Sequence, residues 1–393
     1  MKYGVWFVRL IFAAWMIPAG VNHFIPIFPQ PMGSKPLSHE LIVALIDSRL
    51  FDVVKAVELI AGICVLTGFF IPLALLVCMP VSFCVFWWDT PLEGWGSRAS
   101  VFGESVLICN VLLCLAYFNS YRSMFKSALA QPKQLVLAGR LLFGAWMLAN
   151  GINHFFLTMW AEPAGHEPMA TQLMDAFVHS GLLDVAMVIE LVTGALLLMG
   201  IFVPAALCVV MPVSVCAVYW SVILEHRALG TLLALAALAL NGLLMLACIR
   251  SYAGALQRHV VTPFESQFVN ASGRSARAPY VPALVTLLAA VAFYAFLVTG
   301  LTAQWCMLVL LFPAVVLHAR RLHDMGYSAW LLLVPAILWL VTFANRVHII
   351  TLGDPLNTVA PVATLAVSAV LMAWCCMGKQ AVTNRFGAPA TAQ

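Results

Sequence analysis

The chain has 393 residues, of which 63% are hydrophobic and 9% charged, with a formal net charge of +4. Soluble domains carry about 25% charged residues, so water could not solvate this much apolar surface and the solvent must be a bilayer. The basic residues are scattered between apolar runs, without a basic stripe, which excludes a nucleic-acid face.

Apolar runs fall near 4–24, 52–69, 71–88, 102–119, 135–156, 182–200, 203–222, 229–249, 281–300, 303–318, 329–347 and 358–377. At about 20 residues per crossing, they predict an all-α polytopic integral membrane protein of about twelve transmembrane helices. The helices group as two parallel four-helix repeats plus a third group of four. The expected boundaries are 1–125, 132–256 and 264–380, followed by a polar tail at 381–393. The run at 303–318 is short for a span. The first run is not a removable leader, because Arg9 interrupts it and the same segment recurs inside the chain.

That recurrence organises the first two thirds. RLIFAAWMIPAGVNHF at 9–24 returns as RLLFGAWMLANGINHF at 140–155, with ten of sixteen positions identical. DVVKAVELIAG at 52–62 matches DVAMVIELVTG at 184–194, and MPVSFC at 79–84 matches MPVSVC at 211–216. Asn110 matches Asn241, and Ser120-Tyr121 matches Ser251-Tyr252, with a nearly constant offset throughout. Four helices return the chain to its starting side. The repeats are therefore expected to be parallel, about a pseudo-twofold axis along the membrane normal.

Fourteen of the twenty Lys and Arg residues fall on one face, which makes it the cytoplasmic side and puts both termini there. This is the expected topology of a protein of the bacterial cytoplasmic (inner) membrane. The outer loops 25–51 and 157–181 each end in an amphipathic stretch, SHELIVALIDSRLF or TQLMDAFVHSGLL, expected to lie as a short surface helix. The eleven cysteines lie almost entirely in apolar runs and form no C-x-x-C, so they read as apolar filler rather than a disulfide framework.

Polar residues at membrane depth are expensive and mark candidate sites. The first helix of each repeat ends at Asn22-His23 or Asn153-His154. The second helix starts near Asp52 or Asp184 and meets Glu58 or Glu190 about two turns in, roughly 9 Å deeper. Antiparallel neighbours pack together, so Asn, His and Glu are expected to share a pocket able to accept and donate protons. The first copy adds Lys55, at i−3 from Glu58, and Glu104. Met187 and Leu235 occupy those positions in the second copy. No metal-ligand spacing such as H-E-x-x-H appears, and no metal is expected. Pro80 and Pro212 are expected to interrupt the third helices, followed by Ser82 and Ser214.

Arg9, Gly20, Asn22, His23, Phe24 and Glu58, with Arg140, Gly151, Asn153, His154, Phe155 and Glu190, resemble the DoxX-like membrane proteins. The resemblance covers about 1–125 and 132–256. It implies four-helix bundles and, for some relatives, membrane redox reactions such as thiosulfate or quinone chemistry. The last third is similar to the domain-of-unknown-function 805 family. SGRSARAPY at 272–280 and the RRLHD-x-G-x-S-x-W run of Arg320, Arg321, His323, Asp324, Gly326, Ser328 and Trp330 carry that match. Here Arg320, Arg321, His323 and Asp324 are expected to form a cytoplasmic charged turn that contacts anionic lipid headgroups.

The functional expectation is a membrane redox component with an outer-facing His/Glu pocket for a quinone-like or small polar ligand, working with a membrane redox partner. Quinone is the candidate cofactor. The alternatives are a small-solute or proton-coupled transporter and a non-catalytic membrane scaffold.

Overall fold

A computed structural model describes residues 2–126, 133–157, 159–161, 164–260, 266–298 and 300–388. Residues 127–132, between the first two expected bundles, and 389–393 of the expected tail lie outside the described residues. The chain is an all-α polytopic membrane protein. In chain order its helices begin with α1 (Lys2–Phe24), α2 (Pro36–Asp47), α3 (Leu50–Thr67), α4 (Ile71–Trp87), α5 (Arg98–Ala116) and α6 (Phe118–Tyr121). There follow α7 (Gln134–Ile152), α8 (Pro168–His179), α9 (Leu182–Met199), α10 (Val203–Val218) and α11 (Ala228–Ala247). The last are α12 (Ser266–Val269), α13 (Arg277–Leu297), α14 (Gly300–Asp324), α15 (Leu333–Arg346) and α16 (Leu356–Met377). Wider π-type turns extend α4 through Trp88–Leu92, α7 through Asn153–Leu157 and α10 through Tyr219–Glu225.

Among the described residues, eleven helices are long and apolar enough to cross a membrane. Helix α3 matches the 18-residue length of α9 but carries Asp52, Lys55 and Glu58. The short run at 303–318 is the middle of the 25-residue α14, whose polar last turn hid its length from a hydropathy reading. Pro80 and Pro212 lie inside α4 and α10, which run through them.

The chain divides into two compact units that do not follow the sequence boundaries. One comprises residues 1–30, 57–74 and 258–393. In it α1 packs against α13 and α14, and α15 pairs with α16. Gly20 of α1 lies against Leu59, and Gly62 lies against Met16 and Ile17. A Cβ at either glycine would fall inside contact distance, so small residues let these backbones approach, as membrane helix packing favours. Buried Tyr294 donates its hydroxyl to Ile11 O, and Trp6 packs on Phe268 at 4.6 Å between centroids.

The other unit comprises residues 31–56 and 75–257. Here α7 packs on α9 through the corresponding glycines, Gly151 against Leu191 and Gly194 against Leu148. The amphipathic stretches form α2 and α8, both twelve residues long and both starting with proline. Proline suits a first helical turn because that N–H has no intrahelical partner. Left-handed Arg49 (φ 58) and Gly181 (φ 73) turn the chain out of them. The two helices pack together along Leu41, Ala44, Ala170, Leu173 and Ala176, over Leu92 and Leu224 from the π-type turns. Leu41 and Leu173 are fully buried, each contributing about 1.5–3 kcal/mol of apolar burial.

Polar contacts within this unit come in exchanged pairs. Trp87 donates its indole N–H to Ser180 O. Tyr219, at the sequence position that matches Trp87, donates to Ser48 O, and Ser48 matches Ser180 in the same way. Gln172 bonds Asp47, while their counterparts Glu40 and His179 bond each other. Trp88 donates to Ser38 O and Trp220 to Ala170 O. At the opposite helix ends, Ser123 Oγ donates to Ser251 O, and Gly254 lies against Ser120.

Candidate functional site

The two asparagines of the repeated Asn-His motif are engaged in loop closure. Asn22 Oδ1 accepts from Ile27 N at 2.9 Å and Phe28 N at 2.8 Å. Asn153 bonds the Trp160 backbone in both directions at 3.0 Å. Each satisfies backbone groups that a chain leaving a helix would otherwise bury unpaired. The asparagines thus fix the loop that leaves each helix.

In the second segment the structure does join His154 and Asp184. Helix α7 passes into a π-type turn at Asn153, and Asp184 sits in the first turn of α9. His154 Nε2 donates to Asp184 Oδ1 at 2.8 Å, with the histidine side chain 13% exposed and the aspartate 63% exposed. Phe155 packs edge-on against the imidazole at 4.6 Å. Glu190 lies six residues further along α9, roughly 9 Å deeper. It is buried; the Asn150 side chain of α7 reaches its carboxyl, and Oε2 has no hydrogen-bond partner. Solvent, an acid–base pair and a buried carboxyl therefore follow one another along the α7–α9 seam.

In the first segment, Asn22 and Glu58 are buried, and His23 is half-buried with Phe24 edge-on at 5.1 Å. These belong to the first compact unit, whereas Asp52, Lys55 and Glu104 belong to the second. Lys55 is buried with its ammonium 4.8 Å from the Phe51 ring, and Glu104 is half-buried on α5. Arg9 is buried and donates two bonds to Val65 O, at 2.8 and 3.2 Å, near the end of α3. A cation there complements the helix dipole, so the arginine of the motif anchors packing.

Two glutamates absent from the sequence expectations hold α2 and α8. Glu93 accepts from Ser34 N at 2.7 Å and from the hydroxyls of Ser34 and Ser38. Burial alone would raise its carboxyl, but these hydrogen bonds win and hold it below its ordinary 4.5. Glu225, at the matching sequence position, accepts from His166 N and Nδ1 at 2.8 Å and from Glu167 N at 3.4 Å. Their matching positions in the sequence were the available signal. On α8, His179 is raised above its ordinary 6.5 by its hydrogen bond to Glu40. Asn110 donates to Ser82 Oγ at 2.9 Å and Asn241 to Ser214 Oγ at 3.4 Å, giving the repeated serines and asparagines a packing role.

The expected charged turn at 320–324 is instead the last turn of α14, and it is folded inward. Arg321 and Asp324 are fully buried, and Arg320 is 9% exposed. Asp324 accepts from Arg321 Nη1 at 2.6 Å, Arg274 Nε at 3.1 Å and Gln380 Nε2 at 3.1 Å. Arg321 also donates to Cys375 O and Gly378 O, and Arg320 to Asn270 O and Ser272 O. Arg274 reaches Val382 O and Gly387 O, and His323 stacks on Phe386 at 4.0 Å. The guanidinium groups are spent on the interior because helix-end carbonyls and one carboxylate supply acceptors there. Among the described residues, no group of three or more His, Cys, Asp or Glu is arranged to hold a metal ion.

Residues 268–388, which contain α13–α16 and the buried arginines, match the family model described as a protein of unknown function (DUF805). No curated protein and no solved structure matches the chain.

Proposed function

We propose that the chain is a membrane redox component whose second segment binds a quinone-like headgroup, or a small polar group of the same hydrogen-bonding chemistry, at the α7–α9 seam. The observation that carries this reading is Glu190: a buried carboxyl in a membrane-spanning helix with Oε2 unpartnered. An unsatisfied buried polar atom costs about 1–3 kcal/mol, and a ligand would remove that cost. When protonated, Glu190 donates to a quinone carbonyl; when ionised, it accepts from a quinol hydroxyl. His154 and Asp184, at the exposed end of the seam, exchange the reaction's protons with solvent. Two electrons and two protons convert quinone to quinol, and a membrane redox partner would supply the electrons.

The exchanged contacts within the unit formed by 31–56 and 75–257 support reading the first two thirds as a parallel duplication about a pseudo-twofold axis. The positive-charge bias supports both termini inside a bacterial cytoplasmic membrane. With Arg320 and Arg321 buried, anionic headgroups fall to the exposed Arg277, Lys379 and Arg385.

The test is to purify the full chain and quantify co-extracted quinones, lipids and metals. A quinone that is retained by the wild type and lost in His154→Ala supports the reading. A preparation free of quinone that binds none when it is added overturns it. In that case, movement of a pH-gradient dye on proteoliposomes would favour transport, and no movement would favour a scaffold.

A further inference from the structure

Arg9 and Arg140 occupy matching positions, opening RLIFAAWMIPAGVNHF and RLLFGAWMLANGINHF. Their surroundings differ because α3 and α9 end differently. Left-handed Gly68 (φ 87) follows α3, and its N–H bonds Cys64 O at 2.9 Å. Val65 O then remains open, and Arg9 takes it with Nε and Nη2. Left-handed Gly200 (φ 73) follows α9, but here the turn closes twice. Gly200 N bonds Leu197 O at 3.2 Å, and Ile201 N bonds Leu196 O at 3.0 Å. This double closure satisfies the carbonyls that end a helix. Leu197, at the position matching Val65, thus has its oxygen already engaged.

Arg140 is half-buried, and its buried Nε has no hydrogen-bond partner. The guanidinium lies directly against Gly200, where a Cβ would fall 3.0 Å from Nη1. Helix α7 packs on α9 and α11. Neither α7 nor α11 carries an acidic residue, nor does α9 after Glu190. Glu190 precedes Gly200 by ten residues, roughly 15 Å back along the helix. The negative end of α9 favours a cation here, but a partly buried cation with an unfilled donor still calls for an anion. The span Leu182–Met199 ends at this point, so the site lies at a membrane boundary. Met199, Ile201 and Phe202, which flank the glycine, are exposed apolar side chains. An anion reaching Arg140 therefore meets apolar surface beside the charge, which suits a phosphate that carries acyl chains.

We propose that Arg140 binds the phosphate of an anionic phospholipid at the adjoining ends of α7 and α9. Arginine can hold two phosphate oxygens at once, so Nε and one Nη take the headgroup while its chains lie along Met199, Ile201 and Phe202. Basic pockets between membrane helices bind acidic headgroups in this way. Arg9, with Nε and Nη2 both spent on Val65 O, offers no such fork. The site is independent of the quinone reading, which concerns Glu190 and the opposite end of the same seam.

The experiment follows thermal unfolding of the full chain in neutral detergent while short-chain phosphatidylglycerol, phosphatidylcholine or inorganic phosphate is added. Phosphatidylglycerol is expected to raise the unfolding temperature of the wild type, and the other two are not. In Arg140→Met the phosphatidylglycerol needed for half the shift should rise about 10–100-fold, the loss of a charged hydrogen bond. Arg277→Gln and Lys379→Gln, which remove exposed charges elsewhere, should respond as the wild type does. Without lipid, Arg140→Met should be no less stable than the wild type, because the cation it removes lacks a partner there. If Arg140→Met does not fold, Arg140→Lys keeps the charge without the fork and should bind several-fold more weakly; unchanged binding there overturns the proposal. Equal shifts with phosphatidylcholine or with inorganic phosphate overturn the lipid-phosphate assignment. An equal loss in Arg277→Gln and Arg140→Met reduces the effect to diffuse surface charge and overturns the site.

Discussion

Asp324→Asn is the sharpest perturbation of the buried arginine cluster at the end of α14. The carboxylate is fully buried and accepts from Arg321 Nη1 at 2.6 Å and Arg274 Nε at 3.1 Å, with Gln380 at 3.1 Å. Asparagine keeps the shape and one acceptor oxygen but removes the acidic partner that the two buried guanidinium groups share in these salt bridges. Charged hydrogen bonds contribute about 1.5–3 kcal/mol each, and breaking a buried ion pair from one side costs about 3–5 kcal/mol. A loss of about 4 kcal/mol, nearly a thousandfold in the folding equilibrium, is expected. Thermal unfolding in detergent, followed by tryptophan fluorescence, reads it. Arg321→Met combined with Asp324→Asn should lose less than the sum of the two singles, because the charges act as one network. A variant within about 0.5 kcal/mol of wild type would refute the claim that this pairing holds the end of α14, and would return the arginines to a lipid-facing role.

Three further outcomes follow from the second unit. Trp87→Phe and Tyr219→Phe each delete one exchanged hydrogen bond, so each is expected to lose about 0.5–1.5 kcal/mol and to speed amide exchange in α2 and α8; a change confined to the mutated helix would contradict the pairing. Glu93 is held below its ordinary 4.5, so its stabilisation is complete above that pH and is lost as pH falls through the lower folded value. Hydrogen exchange at the start of α2 should therefore rise on acidification below about pH 4.5, with Glu93→Gln already raised at neutral pH. Asn153→Ala is expected to loosen the chain around Trp160 without changing the His154–Asp184 pair, which protease nicking and histidine titration would distinguish.

Much of this architecture is legible as spacing. The apolar runs locate the spans, and the proline-led amphipathic stretches locate α2 and α8, because burial of one helix face leaves a pattern in sequence. The partners of polar side chains are not legible. Asn22 reads as a site residue because it sits at membrane depth, yet its oxygen closes a loop through Ile27 and Phe28. Arg320 and Arg321 read as a charged turn, because hydropathy cannot register backbone carbonyls arriving from Asn270 or Cys375. Pro80 and Pro212 read as kinks, and both lie inside helices that continue through them. Glu93 and Glu225 carry a readable signal in their matched positions, but their partners Ser34 and His166 lie far upstream, a separation no local pattern reports.

The headgroup reading is tested most directly by titrating a short-chain quinone analogue into the full chain in nanodiscs, comparing wild type with Glu190→Gln by calorimetry. The substitution keeps the side-chain volume and removes a hydrogen bond of the charged class, worth about 1.5–3 kcal/mol. Wild type should bind one analogue per chain and the variant should bind about 10–100-fold more weakly. Equal affinity in the two proteins, or no binding to wild type, would contradict the account.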